Sequence, residues 1–201
     1  MTTNHNTLKI KAEELIEKYA LTIPVHVFQL ADLLGITWKT CTTNELKTAV
    51  TKRDPKSKTE VTNWQDVLGY YDTKTESILL NNETQPMTRK RFTMAHEIGH
   101  KILHHDLHKY ERSVFMRHDI LTPRDTQEAE ANYFAAYLLM PDKDIKSVLE
   151  YTKLMTGGEE LIKALVKMFG VSDEALRIRL KTYKTEHPDI WIEYDLDKKV
   201  F

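Results

Sequence analysis

His96-Glu97-Ile98-Gly99-His100, preceded by Arg91-Phe92-Thr93-Met94-Ala95, is the stretch on which the reading of this chain turns. It has the form H-E-x-x-H, and Ile98, Ile102 and Leu103 supply apolar positions beside the histidines, as in a helix with a buried side. A spacing of four residues places His96 and His100 one turn apart on one helix face. Two imidazoles so placed can hold one Zn²⁺, and Glu97 beside them can act as general base towards a water that the metal activates. The bland alternative is a hydrogen-bonded histidine pair in the core. A third ligand elsewhere in the chain decides between the two, because a catalytic zinc site has three protein ligands and one open position.

Three sources compete for that position. His104 shares the histidine face but lies about 12 Å along the axis from His96, too far for one metal to bond all three from a straight helix. A histidine beyond a chain reversal, as in H-E-x-x-H-x-x-G-x-x-H, fails, because Leu103 stands at the glycine and Asp106 at the last histidine. A glutamate from a separate helix fits. In residues 126–141, Ala131, Phe134, Ala135, Leu138 and Leu139 form an apolar stripe whose alanines admit a close neighbour. Thr122-Pro123 predicts the start of this helix and Pro141 its end. Glu130 is rotated by about 200° from Glu128, so only one of them can point at a metal. Glu128 is the preferred ligand, with Asn132 one turn on to hydrogen-bond an imidazole or the carboxylate; Glu130 is the alternative.

With both stretches in view, the chain resembles the ImmA/IrrE metallopeptidases, a group of cytosolic zincins. The resemblance rests on residues 91–100 and on Glu128-Ala129-Glu130-Ala131-Asn132-Tyr133-Phe134-Ala135-Ala136-Tyr137-Leu138-Leu139-Met140-Pro141. Ile23-Pro24-Val25 and Ala31-Asp32-Leu33-Leu34-Gly35-Ile36 are also similar to the family's N-terminal region. The likeness runs over roughly residues 12 to 185, with a departure at about 42 to 64. Where the broader Glu-zincin pattern has E-x-x-x-D, Glu128 falls on the Glu and Asn132 on the Asp, which removes one negative charge behind the ligands.

The resemblance implies a compact, zincin-like α+β domain, mostly helical, with a small β-sheet beside the H-E-x-x-H helix. It implies one Zn²⁺ per chain, held by His96, His100 and Glu128, with Glu97 as the catalytic base. The activity implied is that of a zinc endopeptidase acting on a protein substrate, namely a helix-turn-helix repressor of a phage or mobile element. The competing expectation is a metal-containing regulatory protein that inactivates a transcription factor by sequestration, without proteolysis.

Composition sets outer limits. At 201 residues, 41% hydrophobic and with a formal net charge of −1, the chain can bury a core but carries no global basic footprint, so direct nucleic-acid binding is not expected. The one cysteine, Cys41, excludes an internal disulfide and a Cys-rich zinc site. No apolar run follows Met1 and no stretch of about 18 apolar residues occurs, so neither a secretory leader nor a membrane span is expected, and the placement expected is cytoplasmic.

Along the chain, residues 1–40 read as an N-terminal helical region, with helices over 8–19 and 27–34 and a stop at Gly35. Residues 41–66 read as a polar loop or insertion. Residues 67–151 read as the metallopeptidase core, with a β-hairpin from 67–71 and 77–80. Residues 152–201 read as a C-terminal helical segment and tail, with two helices flanking Gly170 and a strand over 190–196. Arg177-Ile178-Arg179-Leu180-Lys181 is basic on one side, but the Val171-Ser172, Ala175 and Arg179-Leu180 pattern matches the family's core, so packing is preferred over DNA reading. Ile78-Leu79-Leu80 is either an exposed strand that adds a substrate backbone to the sheet or an ordinary core strand, and the sequence leaves both open. His104, His105 and His108 read as surface residues at a helix end. Tyr133, Tyr137, His104 and Arg91 are open candidates for stabilising an oxyanion.

Overall fold

The computed structural model describes residues 5–53, 61, 63–72, 75–83, 86–104, 114–116, 126–152 and 158–189. Helices α1 (His5–Lys18) and α2 (Val27–Leu33) lead into strand β1 (Thr37–Cys41) and helix α3 (Thr43–Arg53). A 3-10 turn (Trp64–Asp66) opens strand β2 (Val67–Asp72), which is followed by β3 (Ser77–Asn81) and helix α4 (Met87–Ile102). Then come β4 (Val114–Met116), α5 (Thr126–Leu139), α6 (Asp142–Thr152), α7 (Gly158–Phe169) and α8 (Asp173–Glu186). The architecture is the expected one: mostly helical α+β with a small sheet beside the H-E-x-x-H helix, here α4.

Among the described residues the sheet is four-stranded, in the order β1-β3-β2-β4. β2 and β3 form the expected antiparallel pair, β1 runs parallel to β3, and β4 runs antiparallel to β2. Both faces are covered. On one face Leu68, Tyr71, Ile78 and Leu80 join Met94, Ala95 and Ile98 of α4 and Phe134, Ala135 and Leu138 of α5 in the main core. On the other, Val67, Tyr70 and Leu79 pack with Leu46 and Val50 of α3 and with Trp64. Double coverage explains why β2 reads as a continuous apolar run rather than an alternating one. Among the described residues, no helix is long and apolar enough to cross a membrane.

Three expectations are corrected. Residues from Thr37 are not helical: β1 is an edge strand with Cys41 as its buried residue, so its sequence carries no alternation to reveal it. The 41–66 segment is not all loop, because 43–53 are helical. Thr42 and Glu45 form a reciprocal capping box there: Thr42 N donates to Glu45 Oε2 at 2.7 Å and Glu45 N donates to Thr42 Oγ1 at 3.2 Å. Ile78-Leu79-Leu80 is not an exposed edge; β3 is flanked by β1 and β2, and its apolar residues are needed on both faces. The 122–123 helix start, His105, His108 and the 190–196 strand lie outside the described residues.

The C-terminal helices pack inward, as preferred. Arg177 and Arg179 of α8 are 6% and 1% exposed. Arg177 Nε donates to Asp173 Oδ1 at 2.6 Å, and Arg179 donates to Met140 O and to Asp142. The basic side seen in the sequence is thus spent on internal pairing. Asp142 also accepts from Lys9 Nζ at 2.8 Å and from His187 Nε2 at 3.2 Å, tying α1, α6 and the end of α8 together. Burial pushes the Asp142 carboxyl up, but the Lys9 hydrogen bond and the Arg179 charge outweigh it and hold the group below its ordinary range. The same bond raises Lys9 against the effect of burial.

A carboxyl with a folded pKa below its unfolded value, about 3.9, contributes fully above that pH and loses its contribution as pH falls through the folded value. Lys9, raised on folding, sets the other limit, losing its contribution as pH rises through a folded value above about 10.4. Asp142→Asn should cost roughly 2–4 kcal/mol at pH 7 by stranding Arg179. Denaturant titrations between pH 2 and 7 should show the variant losing stability less steeply than wild type below about pH 4. Parallel curves would remove Asp142 from the account of acid stability.

Candidate metal centre

Helix α4 lies between the sheet and α5, and two close approaches hold it there. At Gly99 a Cβ would sit 3.0 Å from Phe134 Cδ1 and 3.4 Å from Ala131 Cα, so the glycine lets α4 cross α5 almost backbone to backbone. At Gly69 of β2 a Cβ would sit 2.6 Å from Thr93 Cγ2 and 3.0 Å from Glu97 Oε1. The ladder between β2 and β4 is shifted here: Val67 pairs with Met116 and Gly69 with Phe115, leaving Leu68 as a bulge.

The α4–α5 crossing brings Glu128 to the histidine pair. His96 Nε2 and His100 Nε2 are 2.9 Å apart, and they lie 3.2 and 3.4 Å from Glu128 Oε2 and Oε1. The three side chains are buried, at 0%, 3% and 8% exposure. With bonds of about 2.0–2.1 Å, the edge of a tetrahedral zinc site is roughly 3.3 Å, so these spacings fit three ligands around one ion. Two neutral imidazoles and one carboxylate are also the donor set that zinc takes. Glu130 is equally buried but does not join the group; among the described residues the other carboxylate–histidine cluster is Asp142, Glu186 and His187. Because Lys9 and Arg179 already neutralise it, that second cluster is an ion-pair network.

Asn132 sits one turn beyond Glu128, and its Oδ1 accepts from His96 Nδ1 at 2.9 Å. A carbonyl oxygen only accepts, so Nδ1 carries a proton, and Nε2 is the edge of the ring that faces Glu128 and His100. Burial pushes the Glu128 carboxyl up, but hydrogen bonds from His100 and His96 outweigh it and hold the group well below its ordinary range. Glu97 is different. It is 1% exposed, and its Oε1 has no hydrogen-bond partner among the described residues. Burial pushes its carboxyl well above the ordinary range, and the charge on Glu128 adds to the shift. A buried carboxyl that feels the Glu128 charge is equipped to take a proton and return it.

The structure therefore brings together His96, Glu97, His100, Glu128 and Asn132. It turns His104 out past the end of α4, exposed and with φ 56°. Arg91 is committed to the end of α7, donating to Gly170 O at 2.9 Å and Phe169 O at 3.2 Å, and Tyr137 donates to Glu186. The Tyr133 ring packs against His5 at 4.0 Å. The sequence reading missed Gly69. A lone glycine inside an apolar strand marks a bulge or a close backbone approach, and here it marks both. Two residues on, burial and the charges of Glu76, Glu97 and Asp72 push the Tyr71 phenol up to about 12.

Comparison with known proteins places the chain in a family. The Peptidase_M78 family, described as the IrrE N-terminal-like domain, matches residues 50–181. The chain belongs to that family, the ImmA/IrrE group of metallopeptidases. Its relatives include the radiation response metalloprotease IrrE of Deinococcus radiodurans, 35% identical over 96 residues, which are 43% of this chain and 25% of that protein. Another is uncharacterized immunity region protein 2 of Bacillus phage phi105, 34% identical over 79 residues, 38% of this chain and 47% of that protein. In both cases the match spans less than half of the relative's own length. Among solved structures, a Mycobacterium tuberculosis transcriptional regulator superposes with a TM-score of 0.55 at 16% identity, over 87% of this chain and 46% of that one. At that identity the likeness is one of fold.

Gly69→Ala tests the approach of the sheet to Glu97. The added methyl meets Thr93 and Glu97, so unfolding free energy should fall by about 1–3 kcal/mol, and pairing the change with Thr93→Ser, which removes the nearer methyl, should restore part of it. A stability equal to wild type in the single variant would show that β2 does not constrain Glu97.

Proposed function

We propose that this chain is a zinc-dependent endopeptidase acting on a protein, a helix-turn-helix repressor encoded by a phage or mobile element. The observation that carries the reading is the convergence of His96 Nε2, His100 Nε2 and the Glu128 carboxylate, with the buried Glu97 next to His96 in the chain and its Oε1 without a hydrogen-bond partner among the described residues. Zinc bound there would polarise the scissile carbonyl and make a water more acidic. His96, His100 and Glu128 would hold it, and Asn132 keeps the His96 proton on Nδ1. Glu97 takes a proton from the attacking water at its carboxylate and delivers it to the leaving amide nitrogen. The sheet backbone at Gly69 and the α4 packing keep bulk water from the Glu97 carboxylate. In this reading the machinery lies within residues 67–151, and the protein works in the cytoplasm, where repressors act. Membership in a metallopeptidase family and a relative named for a phage immunity region support the choice of substrate class.

Purified without chelator, the protein should carry about one Zn²⁺ per chain. Glu128→Ala should cut metal affinity strongly and Glu130→Ala should leave it near wild type; the reverse order would move the third ligand to Glu130. Glu97→Gln separates enzyme from sequestering protein. The amide keeps the size of the carboxylate but takes no proton near neutral pH, so zinc should stay bound while repressor cleavage falls at least about a hundredfold. Coexpression with a repressor encoded beside this gene, followed for repressor length and reporter output, reads both. Full relief of repression by Glu97→Gln with the repressor intact would replace proteolysis with sequestration.

A further inference from the structure

Thr93 stands one turn before Glu97 on the same face of α4. Side chains of a helix lean towards its N-terminus, so the Glu97 side chain lies over the turn that carries Thr93. Both residues are buried, at 0% and 1% exposure. Both also meet the sheet at one point. The position that a Cβ would take on Gly69 is 2.6 Å from Thr93 Cγ2 and 3.0 Å from Glu97 Oε1. The glycine thus leaves a niche in β2, and a methyl group and a carboxylate oxygen share it.

Which branch of Thr93 enters the niche is set by a hydrogen bond. Thr93 Oγ1 donates to Arg89 O at 3.0 Å, one turn back along α4. A threonine inside a helix has two accessible rotamers, and a bond to a carbonyl of the preceding turn selects one of them. Here that bond turns the hydroxyl to the helix backbone and the methyl to Gly69 and Glu97. Glu97 Oε1 has no hydrogen-bond partner among the described residues. A hydroxyl one turn away is the simplest donor for such an oxygen, and a buried acceptor left without one costs about 1–3 kcal/mol. The fold commits this hydroxyl elsewhere and offers Glu97 a methyl group.

We infer that Thr93 is a positioning residue for Glu97. Its methyl fills the Gly69 niche beside the carboxylate, and its back-bonded hydroxyl is held away, so that Oε1 stays without a donor from the protein or from a trapped water. A donor in the niche would tie the carboxylate to the sheet side of α4. With the niche closed, the oxygen is kept for the water whose proton it takes. The placement of Glu97 stands on the contacts at Gly69 alone; its consequence for catalysis rests on the peptidase reading above.

Two variants of the full-length protein separate the branches. Thr93→Val keeps the methyl, because the preferred helical rotamer of valine fills both branch positions, and gives up only the hydroxyl. Thr93→Ser keeps the hydroxyl and gives up the methyl, so the hydroxyl or a water enters the niche. Crystal structures of both, with zinc content and with kcat and KM for cleavage of the repressor encoded beside this gene, read the outcome. Thr93→Val should leave the Glu97 pose and kcat near wild type. Thr93→Ser should place a donor within about 3.2 Å of Glu97 Oε1 and lower kcat at least about tenfold, with KM and zinc content near wild type. If Thr93→Ser does not fold, Thr93→Ala opens the same niche to water. A Glu97 Oε1 still without a donor in the Ser or Ala variant, a Glu97 displaced by Thr93→Val, or equal kcat for Thr93→Val and Thr93→Ser would each overturn the inference. A wild-type protein that takes no zinc or cleaves nothing fails the peptidase reading, and the Glu97 poses in the variant structures still decide this one.

Discussion

The crossing of α4 over α5 at Gly99 and Ala131 is the constraint on which the site depends. Gly99 stands between the two histidines of the motif, and Ala131 stands between Glu128 and Asn132. Two helices that meet at a glycine and an alanine approach more closely than helices with larger residues at the contact, for which axes are typically 8–10 Å apart. That closeness lets a glutamate side chain reach both imidazoles while Asn132 reaches the far edge of one of them. A larger residue at either contact would separate the ligand atoms before it touched any of them. The glycine of H-E-I-G-H is thus as much a part of the site as the residues that define the motif.

The site and the ion-pair network at Asp142 show opposite uses of buried charge. Asp142 gathers Lys9, Arg179 and His187, and the result holds three helical segments together. Glu97 is buried as deeply as Arg179, and among the described residues its Oε1 has no hydrogen-bond partner and no cation is paired with it. Leaving a buried polar atom unsatisfied costs about 1–3 kcal/mol, so such an atom is retained where it has work to do. Here that place is a carboxylate set against the strand backbone at Gly69, next in the chain to His96.

What could be read from the sequence, and what could not, follows from the range of the signals. The histidine pair, the apolar stripe of α5 and the preference for Glu128 over Glu130 come from helical periodicity, which is local and strong. The β2–β3 hairpin is likewise local. β1 was missed because an edge strand with one buried residue shows no pattern, and its parallel partner β3 lies some forty residues on, at Ser77 to Asn81. The α3 helix was missed because its polar surface hid Leu46 and Val50, although the Thr42–Glu45 capping box was there to be read. That β3 is central rather than exposed depends on where β1 and β4 dock, which no window of sequence shows. Gly69 was legible as an anomaly in a strand, but its neighbour Glu97 is a tertiary fact.

The central claim is that one metal ion sits among His96, His100 and Glu128. Diffraction from crystals of the zinc-bound protein, collected on both sides of the zinc absorption edge, tests it directly. The account predicts a single strong anomalous peak about 2.0–2.2 Å from both Nε2 atoms and from a Glu128 oxygen, with the Asn132–His96 hydrogen bond intact. A peak at Asp142, Glu186 and His187 with none between the two histidines would contradict it.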